Sequence, residues 1–251
     1  MVLTLAQREL RSLFLSPLAW AILAIVQFIM AYLFLSQLQE FLLIQPKLAT
    51  IENAPGVTEL VIVPLYGSAA FIMMLVTPLL TMRLISEERR NRSLALLMSA
   101  PVSMTEIILG KFFGIFGFAL IMIIMMTLMP LSLYFGASLD IGLLGSIVLG
   151  ISLLLAAFMS IGLYMSSLTA QPTIAAMSTF GVLLMLWIID WAGGKANETA
   201  SGLLEYFSML RHFESFSKGI FDSSDFIYYL LFISLFLILS IRRLDGDRLQ
   251  R

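Results

Sequence analysis

Three stretches of this sequence, Leu60–Met82, Phe112–Leu139 and Ile141–Ile189, contain no charged residue, and Ser12–Gln39 is uncharged as well. Each meets or exceeds the ~20 apolar residues that carry a helix across a ~30 Å hydrocarbon layer. No water inside that layer can hydrogen-bond a peptide group, so such a segment must satisfy its backbone within itself. The expected fold is all-α: a polytopic membrane protein. The charge content agrees, with 12% of the chain charged against roughly 25% in soluble domains.

Six spans are predicted, at about 17–37, 60–84, 112–135, 141–168, 173–191 and 225–242. Ile141–Ile189 is too long for one crossing, and Leu168-Thr-Ala-Gln-Pro172 divides it with a polar turn ending in a helix-terminating proline. The Ser12–Gln39 run exceeds the roughly 7–15 residues of a signal-peptide core, and no small-residue cleavage site closes a run of that length. It is predicted to stay as the first span. With both termini inside, the inner segments hold Arg8, Arg11, Arg83, Arg89, Arg90, Arg92, Lys111, Arg242, Arg243, Arg248 and Arg251. The outer segments hold only Lys47, Lys195, Arg211 and Lys218. That asymmetry predicts cytoplasmic termini.

Residues 2–16 are predicted to form an amphipathic interfacial helix, with Leu3, Ala6, Leu10 and Leu13 on one face and Gln7, Arg8, Arg11 and Ser12 on another. In the outer loop 38–59, Pro46 and Pro55 are expected to break any long helix. The outer loop 192–224 starts with a flexible Gly193-Gly194-Lys195 turn. It then places Leu203, Leu204, Phe207, Leu210 and Phe213 at helical spacing, which predicts a half-buried outer helix.

The connector from Arg83 to Lys111 is charged, unlike its surroundings. Arg83–Arg92 is predicted to carry the second helix beyond the membrane, with Glu88 and Arg92 four apart as a surface pair. Leu94, Leu97 and Met98 make a small apolar face, and Pro101 ends it. Ser103-Met-Thr-Glu106 spells a capping box, so the third helix should start near Ser103 and enter the membrane around Gly110. This order presents a compact apolar knob to a soluble partner.

The sequence Glu87-Glu88-Arg89-Arg90, then Leu94, Leu96-Leu97, Pro101-Val102-Ser103, Glu106-Ile107 and Gly110-Lys111 resembles the connector of ABC transporter permeases of the type-2 exporter class. It departs from the usual pattern at Arg92 for Gly, Ser93 for Thr and Ala95 for Glu. Leu210-Arg-His-Phe-Glu-Ser-Phe-Ser-Lys-Gly-Ile-Phe-Asp222, Asp225-Phe-Ile-Tyr-Tyr229, Arg8-Glu9-Leu10 and Ser16-Pro17-Leu18 are similar to segments of the gliding-motility and nitrous-oxide-reductase-maturation subgroup.

The resemblance implies one transmembrane permease domain over 1–251 in a bacterial inner membrane, with residues 2–16 as an elbow and 86–106 as a coupling region. It implies pairing with a second copy or a paralogue, and docking of a separate ATPase subunit that binds ATP and Mg. Glu87, Glu88, Arg89, Arg90, Leu94, Leu97, Pro101 and Glu106 would carry that docking. Phe207, Leu210, Phe213 and Phe216 are candidates for an outer gate. The expected function is ATP-driven export. The alternative is mechanotransmission, in which ATP turnover drives an extracytoplasmic partner and nothing crosses.

Other chemistries find little support. With no cysteine and one histidine, His212, neither thiolate catalysis nor a multi-histidine metal site fits this chain. No ionisable residue falls mid-span, as ion-coupled carriers normally need. Gly193-Gly-Lys195 lacks the remainder of a phosphate loop, so ATP hydrolysis is expected on the partner. A net charge of −1 gives no indication of nucleic acid.

His212 and Glu214 lie two apart and point to different faces of a helix, so His212 is expected to be structural. Met122, Met125, Met126 and Met129 form a stripe read chiefly as packing. Gly110-x-x-x-Gly114 and Ser146-x-x-x-Gly150 permit close helix approach without specifying a partner.

Overall fold

The computed structural model describes residues 1–48, 55–93, 102–135, 139–193 and 208–249. Its helices are α1 (Val2–Leu15), α2 (Pro17–Leu48), α3 (Val63–Thr81), α4 (Ser86–Arg90), α5 (Met104–Leu131), α6 (Ile141–Leu168), α7 (Pro172–Gly193), α8 (Met209–Ser217) and α9 (Ser223–Leu249). No strand occurs among the described residues. Six helices, α2, α3 with its flanking turns, α5, α6, α7 and α9, are long and apolar enough to cross a membrane. Phe28, Tyr32, Leu43, Met177 and Leu231 stand exposed along these helices. A soluble monomer rarely leaves such patches in water, in keeping with a chain that spans a bilayer. The chain is an all-α, multi-pass membrane protein.

The central helix is α6, which touches α3, α5, α7, α8 and α9. Two of its glycines explain how neighbours come so close. Gly162 sits directly on the Thr81 side chain of α3, and a Cβ at Gly150 would lie 2.6 Å from Phe216 Cβ of α8. Small residues at such crossings let dispersion forces act where no hydrophobic effect operates between helices. Contacts at opposite ends of α6 separate two faces of the bundle. The α4 region meets its carboxyl end through Ser166, and α8 meets its amino-terminal part through Ser146 and Gly150.

Several expectations need correction. Pro46 does not break the helix: α2 continues to Leu48 with Pro46 inside its last turn. Proline lacks only the N–H that would bond the Leu42 carbonyl, and the preceding helix stays intact. The second span does not run on through Arg92. It ends at Thr81, a turn follows, and α4 is a separate five-residue helix. Glu88 pairs with Lys111 instead of Arg92. The last helix extends beyond residue 242 to Leu249.

On α1, Leu3 is 82% exposed, Leu10 and Leu13 are half-buried against the core, and Leu5 and Glu9 press against Gly110 and Gly114 of α5. The methionine stripe straddles the edge of the core: Met122 and Met126 are buried, Met129 is half-buried and Met125 is exposed.

Candidate functional site

The charged connector does not hang free from the bundle. Ser166, at the end of α6, accepts hydrogen bonds from the Ile85 and Ser86 backbone N–H groups, both at 3.1 Å. It donates its own proton to the Met82 carbonyl, 3.1 Å away. Ser86 also bonds to the Met82 carbonyl. A buried serine thus satisfies the amides at the start of α4, which would otherwise be orphaned. That attachment fixes the direction in which Glu88 and Arg89 project.

Glu88 Oε1 accepts from Lys111 Nζ at 2.7 Å, and Glu9 Oε1 accepts from the same nitrogen at 3.1 Å. Lys111 is only 3% exposed. Burying an ammonium ion is costly unless opposite charge and hydrogen bonds replace its water, and here two carboxylates do so from different elements. The triad joins α1, α4 and α5. Beside it, Arg89 pairs with Asp247 of α9, and Arg243 lies 3.9 Å from the other oxygen of that aspartate. The short helix α4 is therefore bonded to three elements, α5, α6 and α9, and is linked to α1 through the shared Lys111.

The other nominated docking residues are placed as follows. Glu87 meets Arg83 at 4.0 Å with both side chains more than a third exposed, a weak surface pair. Arg90 is exposed. Glu106 completes the capping box: Ser103 Oγ accepts the Glu106 N–H at 3.2 Å, and Glu106 Oε2 accepts the Ser103 N–H at 3.0 Å. Leu94, Leu97 and Pro101 lie outside the described residues. Arg92, just past the carboxyl end of α4, has φ +59°. A left-handed residue commonly ends a helix there, and glycine adopts it most cheaply. This gives a backbone reason for the glycine usual at that place in the resembling permeases.

On the opposite face, α8 is held by several polar bonds. Ser208 caps its amino terminus by accepting the Arg211 N–H at 3.2 Å. Tyr229 OH donates to the Met209 carbonyl at 2.6 Å, and Ser146 Oγ donates to the Phe216 carbonyl at 2.9 Å. His212 turns to Asp225, not Glu214, with Nδ1 and Oδ1 2.6 Å apart, and stacks on Tyr228 at 4.0 Å. At the loop before α9, the Ser224 backbone N–H lies 2.9 Å from Asp222 Oδ1 and holds that carboxyl below the usual carboxylate range.

Of the nominated gate residues, Phe213 and Phe216 are buried and Leu210 is half-buried. Phe207 lies outside the described residues. Leu210 and Phe213 also line a groove of about 510 Å³ between the start of α3, Trp187 of α7 and α8.

Sequence reasoning missed Glu9, Lys111, Ser166 and Asp247. The available signal was Lys111 itself, a lone cation at the border of a long uncharged run, which needs a partner. Among the described residues no cluster of His, Asp or Glu is suited to a metal ion.

A family model described as "ABC-2 family transporter protein" matches residues 3–247. No curated protein matches the chain. Six apolar spans, a charged helix clamped at one face and a family match over nearly the whole length converge: the chain belongs to the ABC-2 family of transporter proteins, as a membrane-spanning permease of an ABC transporter.

Proposed function

We propose that this permease takes up the work of a separate ATPase subunit through residues 86–106 and converts it into helix movement that exports a substrate. The observation that carries this reading is the bonding of α4. Its Glu88 and Arg89 reach Lys111 and Asp247, and its first amides are held by Ser166. A push on α4 passes directly to α5, α6 and α9, and through Lys111 to α1.

In this reading the docking surface divides its labour. Glu88 and Arg89 face inward and transmit. Glu87, Arg90, Leu94, Leu97, Pro101 and Glu106 meet the ATPase, which alone binds and hydrolyses ATP with Mg. The whole chain acts as one domain beside a second copy or a paralogue, in the bacterial inner membrane with both termini cytoplasmic. Closure of the ATPase pair tilts the bundle, and α8 with Leu210, Phe213 and Phe216 moves with α6 and α9 as the outer gate. The gliding-motility and nitrous-oxide-reductase-maturation permeases are the proposed subgroup.

Replacing Leu94 and Leu97 by Asp tests the docking assignment. The double variant should insert normally but fail to co-purify an ATPase subunit in mild detergent; retained association would overturn the assignment. The groove beside α8 favours a second reading, mechanotransmission to an extracytoplasmic protein. Co-purification of such a protein without substrate flux would select it.

A further inference from the structure

A second polar feature lies beside the Lys111 triad and is not used by it. A cavity of about 340 Å³ opens where α1 turns into α2 and meets the last turn of α3. Its volume is within the roughly 300–1,000 Å³ of small-molecule sites. Its charged lining is Arg8, Arg83 and Lys111 against Glu9, Glu87 and Glu88, so the two signs balance.

The lining is also incompletely satisfied. Lys111 is taken by Glu9 and Glu88, but Glu88 Oε2 is buried without a hydrogen-bond partner. Arg83 meets Glu87 only at 4.0 Å, its side chain 52% exposed, and Arg8 has no ion pair among the described residues. The part-exposed Glu87 carboxylate and two loosely held guanidinium groups therefore face a shared space. A net anion would meet three carboxylates there, and a net cation three basic groups. A zwitterion with an anionic group for the arginines and an ammonium for Glu87 satisfies both.

The depth of the cavity names the source. Leu18, Ala19, Leu79 and Leu80 form its apolar side, and these residues belong to the ends of two spans. Trp20, exposed and donating to the Phe14 carbonyl at 2.7 Å, stands one residue from the lining. An amphipathic indole in that position marks the headgroup layer of a bilayer. Arginine forks suit phosphate oxygens, and basic pockets between spans hold lipid headgroups. A balanced pocket selects among them.

We propose that this cavity binds the headgroup of an aminophospholipid, a phosphodiester carrying a primary ammonium, with Arg8 and Arg83 on the phosphate and Glu87 on the amine. The bound lipid wedges between the α1–α2 elbow and α3, beside the α4 clamp. This inference depends on membrane placement; it shares Glu87 with the coupling reading, and variants at Arg8, Arg83 and Ser12 leave Glu87 unchanged.

The test is native mass spectrometry of the purified full-length permease in detergent. Equal amounts of dioleoyl-phosphatidylethanolamine and dioleoyl-phosphatidylglycerol are added in competition. The wild type should retain the ethanolamine lipid about tenfold better, a readily resolved preference. The R8A/R83A variant should lose that preference. Ser12→Phe, which fills the cavity from an exposed position on α1 and changes no charge, should lose it too.

Equal retention of the two lipids, or a preference that survives both variants, overturns the proposal. Chain-free glycerophosphoethanolamine should bind far more weakly than the lipid. If it binds as tightly, the membrane source is overturned. Because no ATPase takes part, failure here is distinct from failure of the coupling assignment.

Discussion

A lysine withdrawn from water must have its charge answered within a few ångström, and Lys111 is answered twice. Removing one member of such a buried set costs about 3–5 kcal/mol, because the remaining charges are stranded. That asymmetry explains why Glu88 points inward while its neighbours Glu87 and Arg90 keep more of their charge in solvent. Arg92 shows the opposite situation, a local conformation that its residue type does not favour. The left-handed region costs a non-glycine residue about 1–2 kcal/mol, partly offset by the extra unfolded-state freedom of glycine. Arg92→Gly is expected to stabilise the protein by about 0.5 kcal/mol, measured as a raised thermal midpoint in detergent. A lowered midpoint would show that the arginine side chain holds the turn by other means.

At the scale of elements, glycine placement decides which helices meet. A Cβ at Gly114 would lie 2.6 Å from Glu9 Cβ and 2.9 Å from the Ala6 carbonyl, whereas one at Gly117 would rest 3.7 Å from Leu10. Gly114→Ala should therefore push α1 off α5 and cost about 1–3 kcal/mol, the usual penalty of overpacking. Gly117→Ala should be neutral or stabilising by up to ~1 kcal/mol through helix propensity. Hydrogen exchange of residues 2–15 checks both; equal protection in the two variants would contradict this account of the contact.

The same pairings show what sequence could reveal. Gly110/Gly114 and Ser146/Gly150 were recognisable as close-approach spacings, yet α1 and α8 as their occupants depend on tertiary placement. The Ser103/Glu106 box was legible because its partners are three residues apart. The Arg89–Asp247 pair joins residues distant in sequence, and no local pattern announces it. Pro46 misled for the converse reason: its missing N–H is real chemistry, but one lost bond does not by itself end a helix that its neighbours sustain.

For the whole molecule, the polar clamp on one face and the α8 anchorage on the other bracket an apolar interior. Movement between them must travel as rigid-body displacement, since packed helices shift between discrete arrangements instead of deforming continuously. Both termini belong to the clamp face: α1 supplies Glu9, and the carboxyl end of α9 supplies Asp247. A reporter fused after Arg251 should register as cytoplasmic; an external signal would reverse the proposed orientation of every span.

The unbroken course of α2 has a consequence of its own. Its 32 residues measure about 48 Å at 1.5 Å per residue, well beyond the ~30 Å of hydrocarbon. Its first twenty or so residues are almost wholly apolar, and Gln37, Gln39, Glu40, Gln45 and Lys47 mark the remainder. The helix is thus a built-in ruler. A bilayer thinner than its apolar segment is met by tilting, kinking or local thickening of the lipid, and where the helix tilts, its polar extension drops toward the surface. Through that stiff post, membrane thickness is converted into the height of a platform on the far side.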